Sequence, residues 1–136
     1  MRKKINIFLK KTISRNSIME KTSVWGPRAW YVFHKYAFVF RNPYYNATVN
    51  KAIAFYEIDF LKYIMCDSCT NHYRNLIRMY PVDTSTRMNL IKWSIFIHNQ
   101  VNERIGHPKL SVEAAYRFWE DVFYEEDNSQ PKYRLQ

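Results

Sequence analysis

From Ser23 onward, apolar residues return every three or four positions, and no stretch alternates apolar with polar side chains long enough to make a half-buried strand. The first pattern lays a stripe along a helix, and the second is what a strand facing a core requires. A chain patterned this way must bury helical stripes against one another, so the expected fold is all-α, a four-helix bundle plus a short fifth helix. The first segment carries Pro27, tolerated in a first turn, then Trp30, Phe33, His34, Ala37 and Phe38, and ends before Asn42-Pro43. The spacing predicts a second helix over about 46–65 with Val49, Ile53, Tyr56, Phe60 and Ile64 along one stripe. A third runs from Cys66 to about Met79, where Pro81 and Asp83 break it. The fourth, about 85–105, turns Leu90, Trp93, Ile97 and Val101 inward and stops at Gly106, a C-cap glycine. Ser111 caps the fifth, with Ala115, Phe118, Trp119 and Val122 available for packing.

At 136 residues the chain has the size of one domain, and 47% apolar content supplies a core without disulfide scaffolding. Neither of the two glycines belongs to a GxGxxG or P-loop pattern, which excludes a Gly-rich phosphate cradle. No apolar run approaches the roughly 18 residues of a membrane span. Charge divides the chain further. Residues 1–21 carry Arg2, Lys3, Lys4, Lys10, Lys11, Arg15 and Lys21 against Glu20 alone, which is +6 of the formal +9. The expected organisation is therefore a basic N-terminal arm over 1–21, a folded domain over 22–124 and a polar tail over 125–136. The arm reads either as a solvated tail or, with Ile5, Ile7, Phe8, Leu9 and Ile13, as an amphipathic targeting or membrane-surface segment. Lys10 and Lys11 interrupt its apolar stretch and disfavour a secretory signal.

Both cysteines of the chain sit in one motif, Cys66-Asp67-Ser68-Cys69, at the predicted start of the third helix. One helical turn brings two such sulfurs within bonding reach, and the positive end of the helix dipole stabilises a thiolate there, so the pair suits dithiol/disulfide exchange. Two other readings stay open from the residues alone. The cysteines can be structural, or they can ligate zinc with His72 and a distant histidine, although no second CxxC or HxxxH pair completes that site. A thioredoxin-type module needs a strand before the motif, which this sequence does not offer.

Three separated motifs give the pair a context. Trp25-Gly26-Pro27-Arg28-Ala29-Trp30 is followed by His34; Cys66-x-x-Cys69 continues to His72-Tyr73; and Trp93 precedes His98-Asn99-Gln100-Val101-Asn102. Between about Trp25 and Trp119 the chain resembles the Erv/ALR family of FAD-dependent sulfhydryl oxidases, with the motifs in the family's order. The resemblance implies FAD bound within the bundle, with Gly26, Arg28, Trp30, His34, His98, Asn99, Asn102 and Trp119 as contacts. It implies Cys66 as the exposed interchange cysteine and Cys69 against the isoalloxazine. The activity it implies is oxidation of protein thiols to disulfides, electrons passing through flavin to oxygen to give hydrogen peroxide.

The chain departs from the family at two places. Where a lysine usually follows the glycine after the HNxVN helix, Gly106 is followed by His107, with Lys109 two residues on, so the phosphate contact falls to one of these. Cys66 and Cys69 exhaust the cysteines, so there is neither a second structural disulfide nor a shuttle pair within the sequence. Electrons must then arrive directly from a substrate protein or a separate redox carrier. Such minimal forms look most like those of large DNA viruses, which implies action in the host cytoplasm or virion, with the mitochondrial intermembrane space as the alternative. A homodimer is also implied by the family, and no nucleic acid or metal. The rival function is a basic helical binding module for nucleic acid or a membrane surface, favoured by the pI near 9.6 and predicting salt-dependent binding without a chromophore.

Overall fold

The computed structural model describes residues 22–128, and the basic arm and residues 129–136 lie outside it. Five α-helices follow in order: α1 (Thr22–Val39), α2 (Asn46–Glu57), α3 (Asp67–Met79), α4 (Arg87–Ile105) and α5 (Val112–Asn128). A 3-10 helix, Asp59–Tyr63, separates α2 from α3. No strand occurs among the described residues, in agreement with the all-α expectation. No helix among them is long and apolar enough to cross a membrane.

α1 and α4 form the central pair, with α5 laid against both and α3 against α4. The core is built from aromatic rings around Phe33, which is fully buried. Its ring meets Tyr56 and Trp30 edge-on at 5.0 and 5.2 Å and Phe60 tilted at 4.8 Å. Edge-to-face contacts of this kind add to plain area burial because ring edges are positive and faces negative. The phenols in this core are satisfied by backbone: the Tyr56 hydroxyl donates to the Phe33 carbonyl at 2.7 Å, and Tyr73 donates to Tyr56 at 2.6 Å. Arg41 and Arg87 both donate to the Phe38 carbonyl at 2.8 Å, occupying an acceptor that the end of α1 leaves open.

Five expectations need correction. The continuous helix predicted over 46–65 breaks at Ile58 into α2 and the 3-10 turn, and the break swings Phe60 against Phe33 and Tyr73. Tertiary packing thus overrides an unbroken stripe. Pro27 lies inside α1, beyond its first turn. α4 begins at Arg87 because Thr86, and not Ser85, accepts from the Asn89 amide at 2.9 Å; Ser85 is held in the preceding turn by Asp83. Finally, α5 extends through Asn128 into the stretch read as a polar tail. Glu126 ties that last turn to α1, pairing with Lys35 at 2.7 Å and accepting from the Tyr31 hydroxyl. Phe118, expected to pack, is 54% exposed, and Phe123 takes the core position instead.

Candidate active site

Cys66 is the N-cap of α3. Its extended backbone turns the sulfur back over the first turn, where Sγ accepts from the Cys69 N–H at 3.3 Å. The two sulfurs are 2.6 Å apart, and the Ser68 hydroxyl lies 3.3 Å from Cys66 Sγ. Burial pushes the Cys66 thiol up, but the bonds it receives from Cys69 and Ser68 together outweigh burial and bring it below its ordinary range. Cys69 moves the opposite way, to about 11, through burial and then through its neighbour Cys66, with Arg104 acting against the rise. The exposure is the reverse of what the resemblance implies. Cys66 is buried, while Cys69 is the more open of the two. The cause is local: capping folds the Cys66 sulfur inward, whereas Cys69 faces a cavity.

That cavity, about 400 Å³, lies between the start of α1, α3 and the second half of α4. Gly26, Trp30, Cys69, His98, Asn102 and His107 all line it, which brings six of the sequence-predicted site residues together. A smaller cavity of about 110 Å³ lies beside it, lined by His34, Asn99, Trp119 and again His98 and Asn102. His98 and Asn102 fall one turn apart on α4, which is why both reach the same wall.

The histidines connect the two spaces. His34, wholly buried, is bonded through Nδ1 to Ser94 Oγ at 3.1 Å and through Nε2 to His98 Nδ1 at 2.8 Å. Trp30 stacks on the His98 ring at 3.7 Å and Trp119 on His34 at 4.5 Å. Burial, reinforced by the neighbouring imidazole, holds His34 well below its usual range. Burial and then His107 lower His98 to about 4, so both rings are neutral at pH 7.

Not every predicted contact joins this wall. Arg28 is exposed, with its guanidinium 5.4 Å from the Tyr63 ring centroid. Lys109 pairs with Glu103 at 3.3 Å on the surface, which leaves His107 as the member of that pair that lines the cavity. The Asn99 side chain both donates to and accepts from the Leu110 backbone, at 2.7 and 3.0 Å, clamping the loop that carries His107. Trp25, His72, Tyr73 and Arg104 line the larger cavity and were not predicted as contacts. His72 had a signal, one turn beyond Cys69 on the same helix, and so had Arg104, placed beyond Asn102 as a second basic residue near Gly106. Among the described residues no three His, Cys, Asp or Glu side chains converge as a metal site.

The site fits a flavin dinucleotide on its own geometry. Nε2 of His98 and the side-chain amide of Asn102 have no hydrogen-bond partner among the described residues, although both side chains line both cavities. Both side chains are half-buried on the cavity wall, where their polar atoms are available to a bound molecule. Aromatic faces stand beside them, and Arg104 and His107 supply a basic end to the larger space.

Comparison with known proteins agrees with this geometry. Residues 27–122 match the Erv1/Alr family model. The chain is 30% identical over 104 residues to a FAD-linked sulfhydryl oxidase of Invertebrate iridescent virus 6, covering 71% of this chain and 92% of that one. It is 47% identical over 38 residues to the FAD-linked sulfhydryl oxidase ERV2 of Saccharomyces cerevisiae, a segment that covers 28% of this chain and 19% of the yeast protein. In fold it resembles the FAD binding domain of Erv1 from Saccharomyces cerevisiae, with a TM-score of 0.65 at 23% identity, over 71% of this chain and 91% of that one. A cysteine pair at the start of a helix, a cavity beside it lined by His98 and Asn102, and a family match over residues 27–122 that runs through both place the chain in the Erv1/Alr family.

Proposed function

We propose that the protein is a FAD-linked sulfhydryl oxidase that makes disulfides in substrate proteins. One observation carries the reading: Cys69 opens into the same cavity as Trp30, His98 and Asn102, while its partner sulfur caps the helix beside it. Cys66 is the interchange cysteine. It lies just beneath the surface, between the exposed residues Met65, Asp67 and Ser68. A substrate thiolate attacks Cys66 Sγ of the oxidised pair, breaking the bond to Cys69, which departs as a thiolate. The second substrate thiol, once deprotonated, attacks the mixed disulfide and leaves with the new bond. The Cys66 thiolate released in that step is stabilised by the Cys69 N–H and Ser68. Cys69 is then the electron donor toward the cavity, with Arg104 favouring its thiolate. FAD, when bound, supplies the two-electron chemistry that side chains lack and passes the pair to oxygen as hydrogen peroxide.

Trp30, His34, His98, Asn102 and Trp119 hold the dinucleotide in this reading, with Gly26 giving clearance. Arg104 and His107 neutralise its phosphates in place of Lys109, and Asn99 acts through the loop. Substrates are thiol-bearing proteins or a separate redox carrier, the active unit is a homodimer, and the viral relatives favour the host cytoplasm or virion. The purified protein should be yellow, with about one FAD per chain, and dithiothreitol should drive oxygen consumption and peroxide release. A colourless, folded protein that FAD cannot reconstitute overturns the reading.

The arm belongs to a separate function in this reading, since the family match begins at residue 27. Deleting residues 1–20 should leave FAD content and dithiol turnover within about twofold, and should alter binding to anionic membranes or acidic partners. Loss of flavin on deletion would place the arm in the fold.

A further inference from the structure

The chain of bonds through His34 and His98 has a direction, and one buried hydroxyl sets it. Ser94 is fully buried on α4, and its single hydroxyl proton goes to the Ile91 carbonyl at 2.7 Å, because a carbonyl oxygen only accepts. The same oxygen stands 3.1 Å from Nδ1 of His34. With its proton spent, it must accept there, so Nδ1 of His34 carries hydrogen. A neutral imidazole has one N–H. Nε2 of His34 is therefore a lone pair, and Nδ1 of His98, 2.8 Å away, donates to it. His98 is left with an unprotonated Nε2 that has no partner among the described residues, on a side chain lining both cavities.

We propose that Ser94 is a positioning residue that locks both histidines in the Nδ1–H tautomer, so that His98 offers the cofactor a hydrogen-bond acceptor. The second half rests on the reading of the cavities as the FAD site. FAD carries suitable donors in its sugar and ribityl hydroxyls and its adenine amino group. Phosphate oxygens, which accept only, are repelled from this position and left to the basic end of the cavity. Ser94, His98 and Asn102 thus make one functional ladder along α4, each step four residues long.

Ser94→Ala is the direct test, since alanine is smaller and suits a helix interior. Without the hydroxyl, Nδ1–H of His34 has no acceptor in a fully buried site, and the chain reverses: Nε2 of His34 donates, and Nε2 of His98 acquires the proton. Long-range nitrogen-15 correlation spectra of the purified protein read the tautomers independently of activity. They should show Nδ1–H at both rings in the wild type and Nε2–H at both in Ser94→Ala. FAD should bind about tenfold more weakly or worse to that variant, as expected when a buried polar pair becomes mismatched. Ser94→Thr, which keeps a hydroxyl, should restore the wild-type tautomers and most of the affinity. An Nε2–H signal from His98 in the wild type overturns the lock, and so do unchanged tautomers in Ser94→Ala. Inverted tautomers with undiminished FAD affinity overturn the acceptor role. If the wild type does not bind FAD at all, the cofactor reading falls on that ground, while the tautomer spectra still decide the lock.

Discussion

Cys66 and Cys69 are adjacent in space and opposite in acidity. Cys66 receives hydrogen bonds that stabilise its thiolate, and Cys69 is held up at about 11 by burial and by Cys66 itself. In the reduced protein, a small alkylating reagent should therefore modify Cys66 first, with a rate midpoint below that of an ordinary thiol. Cys69 should react appreciably only as pH approaches about 11. Peptide mapping after timed labelling checks the order, and equal labelling at pH 7 would contradict it. Cys66→Ser and Cys69→Ser should each abolish turnover, but only Cys69→Ser should accumulate a mixed disulfide with substrate, visible on a non-reducing gel. Much at this scale was legible in the sequence. The CxxC spacing marks a redox pair at a helix start, and His98 with Asn102 share a face by arithmetic. The inward turn of the Cys66 sulfur was not legible, because it depends on the cap's backbone angles. Nor was Ser94: a serine inside an apolar stripe has no sign of its own until its partners on another helix are seen.

Helix ends decide where the site's parts arrive. α4 stops at Gly106, which takes a φ of 80°, donates its backbone N–H to the Asn102 and Glu103 carbonyls and starts the loop to Ser111. That loop is fastened by the two Asn99 bonds to Leu110. Asn99→Ala should release it, giving faster amide hydrogen exchange over 107–111 and about tenfold weaker FAD binding through misplaced His107, with the helical content unchanged. Asn99→Asp keeps the acceptor for the Leu110 amide, loses the donor to its carbonyl, and should fall between. Wild-type exchange in Asn99→Ala would show that the clamp is dispensable. Gly106 and the Ser111 cap were readable from local chemistry, and the Ala114 amide does reach Ser111 Oγ at 3.1 Å. The break at Ile58 and the long α5 were not, because both follow from contacts distant in sequence: Phe60 with Phe33 in one case, Glu126 with Lys35 in the other.

The molecule as a whole should be acid-sensitive through its buried imidazoles. His98 falls from 6.5 unfolded to about 4 folded, and His34 shifts in the same direction. Between those pH values the unfolded chain binds a proton that the folded one refuses, so stability rises with pH across this window and is lost as pH falls. For His98 alone the loss from pH 6.5 to about 4 is about 3 kcal/mol. Urea midpoints should drop over this range, while the His98 ring resonances stay at their neutral positions from pH 7 to 5. A ring that titrates near 6.5 in the folded protein would refute the account. The capped sulfur at the head of α3 has a consequence for the whole molecule as well. A thiolate there accepts from the Cys69 N–H and faces the dipole of a helix that runs to Met79, and a disulfide, carrying no charge, forfeits most of that attraction. Reduction therefore strengthens the helix end, which raises the pair's reduction potential. α3 thus acts as a bias on electron flow, and the direction of that bias draws electrons out of substrate thiols.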